Sequence, residues 1–332
     1  MGIKAVVVED SPRQPATRVL VITTKGVKLE EMPSVKGATV STTFRTLRGV
    51  YGPDIGIICI GPAGEMMMYG AGVAVTDDKD VQVRYAARGG LGALMGSKGI
   101  KAIVIDDAGA PPPEFFDETL VSCAARDVAK ALAGDPKTQI RHAYGTPGIL
   151  RVANQVGLLP TRNFSSGQFE LANEIDGERV AEVIAKRQGE GCSGTPCVKG
   201  CVIRCSNVFP SERGTKVVAS LQYESIVLLG PNCGIGNLDD IAELTDLCNQ
   251  VGVDTIETGA AIGVAMEAGV VKFGDAEGAK SLVRQIGQGT YLGRILGHGA
   301  ALTGRVLGVR RVPTVKGQAI PAYDPRALKG NG

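Results

Sequence analysis

The spacing of apolar positions along this chain changes once, near residue 110. Before that point they fall in short β-branched runs, Lys4–Val8, Arg18–Thr23, Gly56–Ile60, Val73–Thr76 and Lys101–Ile105, each bounded by Gly, Pro or Asp. Such runs predict strands. Gly109-Ala110-Pro111-Pro112-Pro113 admits no regular structure and marks a boundary. Beyond it apolar residues recur at three- and four-residue spacing over Asp117–Ala133, Gly177–Gln188, Leu238–Val251, Asp254–Ala268 and Ala276–Ile286, which predicts helices. Asn237-Leu238-Asp239-Asp240 offers one of them a capping side chain and acidic residues at its positive end. The pattern is that of an α+β chain, with a β-rich domain over residues 1–110 and a mostly α-helical domain over residues 111–332.

Composition narrows the function classes. With 332 residues and 44% hydrophobic content, the chain can bury two cores. A net charge of +2 gives no field for nucleic acid or an acidic membrane, and 4% aromatics without Trp argue against base-stacking platforms. No apolar stretch approaches the ~20 residues of a membrane span, and Met1–Asp10 has no targeting core. Eight cysteines without a secretion signal suggest a reducing, cytoplasmic setting in which thiols serve metals or cores.

Four of those cysteines, Cys192, Cys197, Cys201 and Cys205, fall within fourteen residues. Short loops containing Gly and Pro let thiolates this close turn toward one small centre. A four-iron cubane tolerates such spacing, whereas structural zinc more often pairs two distant Cys-x-x-Cys knuckles. Lys199 and Arg204 offset the thiolate charge. Zinc, redox thiols and plain core cysteines remain the alternatives. Cys59, Cys123, Cys233 and Cys248 sit in apolar patterns and read as core.

The stretch from Arg84 to Lys98 is glycine-rich but fails as a phosphate loop, because its end reads Gly-Ser-Lys. Its glycines are also misspaced for a dinucleotide fingerprint. What remains is a loop whose bare amides can approach an anion, with Arg88 and Lys98 adding charge, or else a tight glycine bend.

In order along the chain, these segments resemble the aldehyde:ferredoxin oxidoreductase family. Ile60-Gly61-Pro62-Ala63-Gly64-Glu65, Arg88-Gly89-Gly90-Leu91-Gly92-Ala93 and Met95-Gly96-Ser97-Lys98 are similar to family motifs. So are Tyr144-Gly145-Thr146, Asn163-Phe164, Tyr223-Glu224-Ser225, the stretch from Asn249 through Gly252-Val253-Asp254-Thr255, and Pro321–Arg326. The resemblance implies a tungsten (or molybdenum) bis-pterin cofactor beside a [4Fe-4S] cluster. It also implies that Arg88 and Gly89 contact pterin phosphates, that Asn249 and Asp254 bind one pterin, and that Glu224 is the catalytic carboxylate near the metal. The alternative for Glu224 is a carboxylate that merely starts a helix.

Three departures stand out. The first cysteine gap is one residue wider than the family's, Asn249 replaces an Asp, and Asp246 stands where some members carry an iron-binding His. Measured against the family, the N-terminal β domain is incomplete, and the domain that supplies a second pterin motif and the fourth cluster cysteine is not covered. Cys192 is therefore the candidate fourth ligand. The expected chemistry is oxidation of an aldehyde to a carboxylic acid, with electrons leaving through the cluster to ferredoxin. The expected partners are ferredoxin and a chain supplying the missing domain, or a second copy. A non-catalytic iron–sulfur electron-transfer subunit and an inactive split-gene product are the competing readings.

Overall fold

The β-branched runs assemble into one mixed sheet. The computed structural model describes residues 5–9, 17–76, 83–112 and 114–327. Its first sheet holds β1 (Arg18–Thr23), β2 (Gly26–Glu31), β3 (Gly56–Cys59), β4 (Val73–Thr76), β5 (Val83–Ala86) and β6 (Ile100–Asp106), in the order β2-β1-β6-β3-β4-β5. Only β1 and β6 run parallel; every other pairing is antiparallel. Period-two alternation turns Val19 and Val21, Ile57 and Cys59, and Ala102 and Val104 to one face. Against that face packs α1 (Val40–Tyr51), through Val40, Phe44 and Leu47 at helical spacing. Thr39 caps it by accepting from Thr42 N.

This helix was not foreseen within the β-rich half. Nor does Lys4–Val8 form the strand its composition suggested. Lys4 lies outside the described residues, and Ala5–Val8 carry no regular structure and stay exposed. A β-branched run forms a strand only with a neighbour to pair with, and among the described residues no strand pairs with this segment.

Two short helices, α2 (Pro62–Glu65) and α3 (Leu91–Ser97), lie back to back beside the sheet. Glycine makes this possible. A Cβ on Gly96 would sit 2.0 Å from Gly64 O, and one on Gly92 would sit 2.4 Å from Gly72 O. Half of the glycine-rich stretch is thus a packing device.

The remainder is helical around a central α10 (Thr255–Glu267). The preceding elements are α4 (Glu118–Gly134), α5 (Pro136–Tyr144), α6 (Leu150–Gln155), α7 (Gly177–Arg187), α8 (Tyr223–Leu229) and α9 (Leu238–Val251). Three more, α11 (Ala276–Gln288), α12 (Tyr291–Gly297) and α13 (Ala300–Leu307), follow it. Helix α10 is buried on all sides, consistent with its lack of a polar face. Its Gly259 lets the α8 backbone approach, since a Cβ there would lie 2.6 Å from Leu228 O. Helix α9 begins and ends where its caps place it: Asn237 accepts from Asp239 N and Asp240 N, and Gly252, at φ +80°, closes the last turn.

Two features depart from the expected helical domain. It contains a three-stranded sheet, β7 (Cys192–Thr195), β8 (Ser206–Pro210) and β9 (Lys216–Ala219), and a hairpin of β10 (Thr314–Val315) and β11 (Gln318–Ala319). In addition, α4 buries no residue despite its helical periodicity, because α5 is its main neighbour. Cys123, expected in a core, is exposed on this helix. The other three cysteines of that group, Cys59, Cys233 and Cys248, are buried.

Main-chain hydrogen bonds run along the seam between the two halves. Gly70 N donates to Gly297 O at 2.8 Å, Asp254 N to Gly70 O at 2.8 Å, and Gly72 N to Gly252 O at 3.0 Å. Ala71 and Val253 form an antiparallel bridge. A Cβ on Gly61 would lie 2.2 Å from Val251 O. Gly61→Ala should therefore cost on the order of 2–3 kcal/mol. Gly49→Ala, exposed in α1 with nothing within 4 Å of its Cβ, should stabilise by about 0.5–1 kcal/mol. Chemical denaturation of the two variants checks both signs.

Candidate functional site

The backbone seam sets Arg88 beside the start of α10. Gly89 and Gly90 adopt φ of +90° and +72°, a turn that only glycine enters freely. This turn delivers Arg88 to the floor of a cleft of about 600 Å³. Arg88 Nη2 donates to Ala319 O, and its Nε lies 3.6 Å from Asp254 Oδ2. That Nε is buried without a hydrogen-bond partner. Gly89 faces open space, with nothing within 4 Å of a built Cβ. Ser97, not Lys98, completes this wall.

Asp254 has two tasks. Its carboxylate caps α10, accepting from Ile256 N and Glu257 N at 3.1 Å each. It is also a buried acid. Burial raises its pKa to about 6, against the opposing pull of those two amides and of Arg88.

Asn249 stands in the last turn of α9 and lines a second cavity with Arg84, Tyr85, Ser225 and Thr255. Its carbonyl accepts from Tyr85 Oη. The same Tyr85 is partly buried, and desolvation holds its phenol well above the usual range. Val253 lines this second cavity and Asp254 the first, so consecutive residues separate the two.

Glu224 does not line either cavity. It is half-buried in the first turn of α8, near Tyr223 and Tyr323. Those two rings stack at 5.2 Å, and Tyr223 Oη donates to Ala322 O at 2.9 Å. Burial raises both phenols, and Glu224 raises them further. Around this point the scattered motif segments converge. Tyr223 N donates to Thr146 Oγ1, Arg326 Nη2 donates to Phe164 O, and Asp324 N donates to Leu158 O.

The cysteines divide. Cys197, Cys201 and Cys205 lie in the partly buried loop between β7 and β8. The main-chain N–H of Arg204, then that of Ile203 and the facing Cys197, lower the Cys201 thiol against burial. Cys205 is raised by burial and by the other two thiols, with Arg84 opposing. Cys192 is set apart on β7, opposite Val208, exposed and with its Sγ 3.3 Å from Ser193 O.

Residues 124–332 match the family described as aldehyde ferredoxin oxidoreductase, domains 2 and 3, and residues 1–107 match its N-terminal domain. The chain belongs to the aldehyde ferredoxin oxidoreductase family. It is 31% identical over 350 residues to the tungsten-containing aldehyde ferredoxin oxidoreductase of Pyrococcus furiosus, and 33% over 352 residues to that of Pyrococcus abyssi. Each alignment covers 100% of this chain and 55% of the relative, so the chain spans about half the length of these proteins. A Pyrococcus furiosus aliphatic sulfonate oxidoreductase, WOR-like subunit, is 26% identical over 73% of the chain and 41% of its own length. The fold is shared with the active-site complex BamBC of benzoyl coenzyme A reductase, solved with 1,5-dienoyl-CoA. The TM-score is 0.70 at 18% identity, covering 93% of this chain and 49% of that one.

Within this chain, two cleft residues escaped the sequence reading. Glu257 is buried one turn into α10, and His298 follows α12. His298 Nδ1 accepts from Tyr69 N at 3.3 Å, while burial, then Arg294, lowers its pKa. Glu257 had a signal: a carboxylate in the first turn of a largely apolar, buried helix must find buried donors. His298 had none, because only the fold brings it to Tyr69.

Asp254 makes stability depend on pH. Its folded-state pKa lies above the ordinary 3.8, so the folded chain holds this proton more tightly than the unfolded one. Its contribution is complete below about pH 4 and is lost as pH rises through about 6, on the order of 2–3 kcal/mol in all. Asp254→Asn keeps a capping oxygen and removes the titration. Between about pH 4 and pH 7 the unmodified chain should therefore lose stability relative to this variant. Parallel stability–pH curves would refute the assignment.

Proposed function

We propose that this chain carries the pterin-binding cleft and iron–sulfur loop of an oxidoreductase that converts aldehydes to carboxylic acids and passes electrons to ferredoxin. The observation that carries the reading is the meeting of Arg88 and Asp254, 166 residues apart, in one cleft. Family membership supports it.

The residues present fit the groups this function requires. A phosphate in the cleft would satisfy the buried Arg88 Nε and meet the open backbone of Gly89. Asp254 offers a buried acceptor for pterin N–H groups, and Asn249 a neutral one in the adjoining cavity. When bound, the tungsten or molybdenum bis-pterin supplies the two-electron oxidation of the aldehyde carbon. Glu224, the carboxylate beside Tyr323, orients or deprotonates substrate or water.

For the [4Fe-4S] cluster, Cys197, Cys201 and Cys205 are three ligands, and the amides that lower Cys201 favour its thiolate. Among the described residues, no three cysteine sulfurs lie within 4.8 Å of one another. Cys192 is the proposed fourth ligand and must rotate away from Ser193 O to serve. Ferredoxin and a chain completing the site, or a second copy, are the proposed partners. Among the described residues, no helix is long and apolar enough to cross a membrane.

Reconstituted under anaerobic conditions, the chain should hold about four iron and four sulfide. Cys201→Ser and Cys205→Ser should each lose the cluster, and the exposed Cys123→Ser should keep it. Iron and sulfide analysis with absorption spectroscopy checks this, and full zinc occupancy would refute it. Cys192→Ser decides the fourth position, since retention of four iron would exclude that thiol.

A further inference from the structure

We infer that Glu257 is a positioning residue for the anion-binding guanidinium of Arg88, acting through Ala319. The inference rests on the proposed anionic ligand of the cleft. Glu257 is buried, and each of its oxygens accepts one main-chain N–H: Oε1 from Ala300 at 2.9 Å, Oε2 from Ala319 at 2.8 Å. Gly299 leaves room for this side chain, because a Cβ there would stand 2.5 Å from Glu257 Oε1.

Ala319 is gripped from both sides. Its N–H goes to Glu257 and its carbonyl accepts from Arg88 Nη2. The hairpin behind it turns through Lys316 and Gly317, at φ +52° and +81°, the left-handed pair that suits a two-residue turn. Lys316, Gly317 and Gln318 form a wall of the cleft. Glu257 therefore fixes that wall and the acceptor that holds Arg88.

The competing position for Arg88 is its neighbour Asp254. Its Nε already lies 3.6 Å from Asp254 Oδ2, without a hydrogen bond. In a buried setting a released guanidinium closes onto that carboxylate, which neutralises it and withdraws it from a ligand. The two N–H groups approach different oxygens of Glu257, and a carboxamide puts an N–H donor where one of those oxygens stood. Glu257→Gln must therefore release Ala300 or Ala319 while keeping the volume.

The test is calorimetric titration of the purified chain with inorganic pyrophosphate at low salt, where weak anion binding persists. Glu257→Gln should weaken binding roughly tenfold in the unmodified background and add nothing further to Arg88→Gln. Equal weakening in both backgrounds would show that Glu257 acts independently of Arg88 and would overturn the inference. So would unchanged affinity in Glu257→Gln. No binding by the unmodified chain would overturn the reading of the cleft and this inference with it. Should Glu257→Gln fail to fold, hydrogen exchange in the unmodified chain decides. Pyrophosphate should slow exchange of the Ala319 amide several-fold, and an unchanged rate with pyrophosphate bound would overturn the proposal.

Discussion

The contact on which the arrangement depends is one between two backbones stripped of side chains. Gly61 and Gly252 approach so closely that a Cβ on either would lie within 2.8 Å of the other residue's main-chain atoms. That closeness lets the strand-like segment Tyr69–Gly72 bond on one side to the loop before α10 and on the other to Gly297. Backbone hydrogen bonds allow little adjustment in length or direction. The seam is therefore a rigid registration between a sheet-bearing layer and a helical one. Arg88 comes from the first layer and Asp254 from the second, and their separation follows from this registration.

Burial gives the meeting its chemistry. The apolar surface of α10 must be enclosed, and enclosing it removes water from the residues at its start. Asp254 responds by holding its proton, and Arg88 is left with a nitrogen that finds no acceptor. The same desolvation that costs stability prepares a place where a ligand's charge is strongly felt. Around Cys201 the device is different: loop amides turned toward a sulfur lower its thiol without deep burial.

Much of the architecture was legible in the residues. Four strands and five helices sit where alternation or three-to-four spacing placed them, and α9 matches its predicted bounds because both caps are local. Local signals misled where a neighbour decides. The apolar face of α1 was hidden in a β-rich stretch, since Thr and Val serve strand and helix alike. The periodicity of α4 is real, yet no core covers it. The strands that bracket the cysteine loop are only four and five residues long and mix polar with apolar residues without a clear alternation.

The candidate site divides in the same way. Residue types and short spacings by themselves marked the cysteine loop, the glycine-rich stretch around Gly89 and the capping role of Asn237, because each operates within a few residues. Only the tertiary structure decided that Gly92 and Gly96 pack helices while Gly89 faces a cleft, that Cys192 rests outside the loop, and that Glu257 grips Ala319. These depend on contacts between segments far apart in the chain. Such contacts are set by which backbones can approach and which polar atoms burial leaves to be paired, and neither quantity is written in a local pattern.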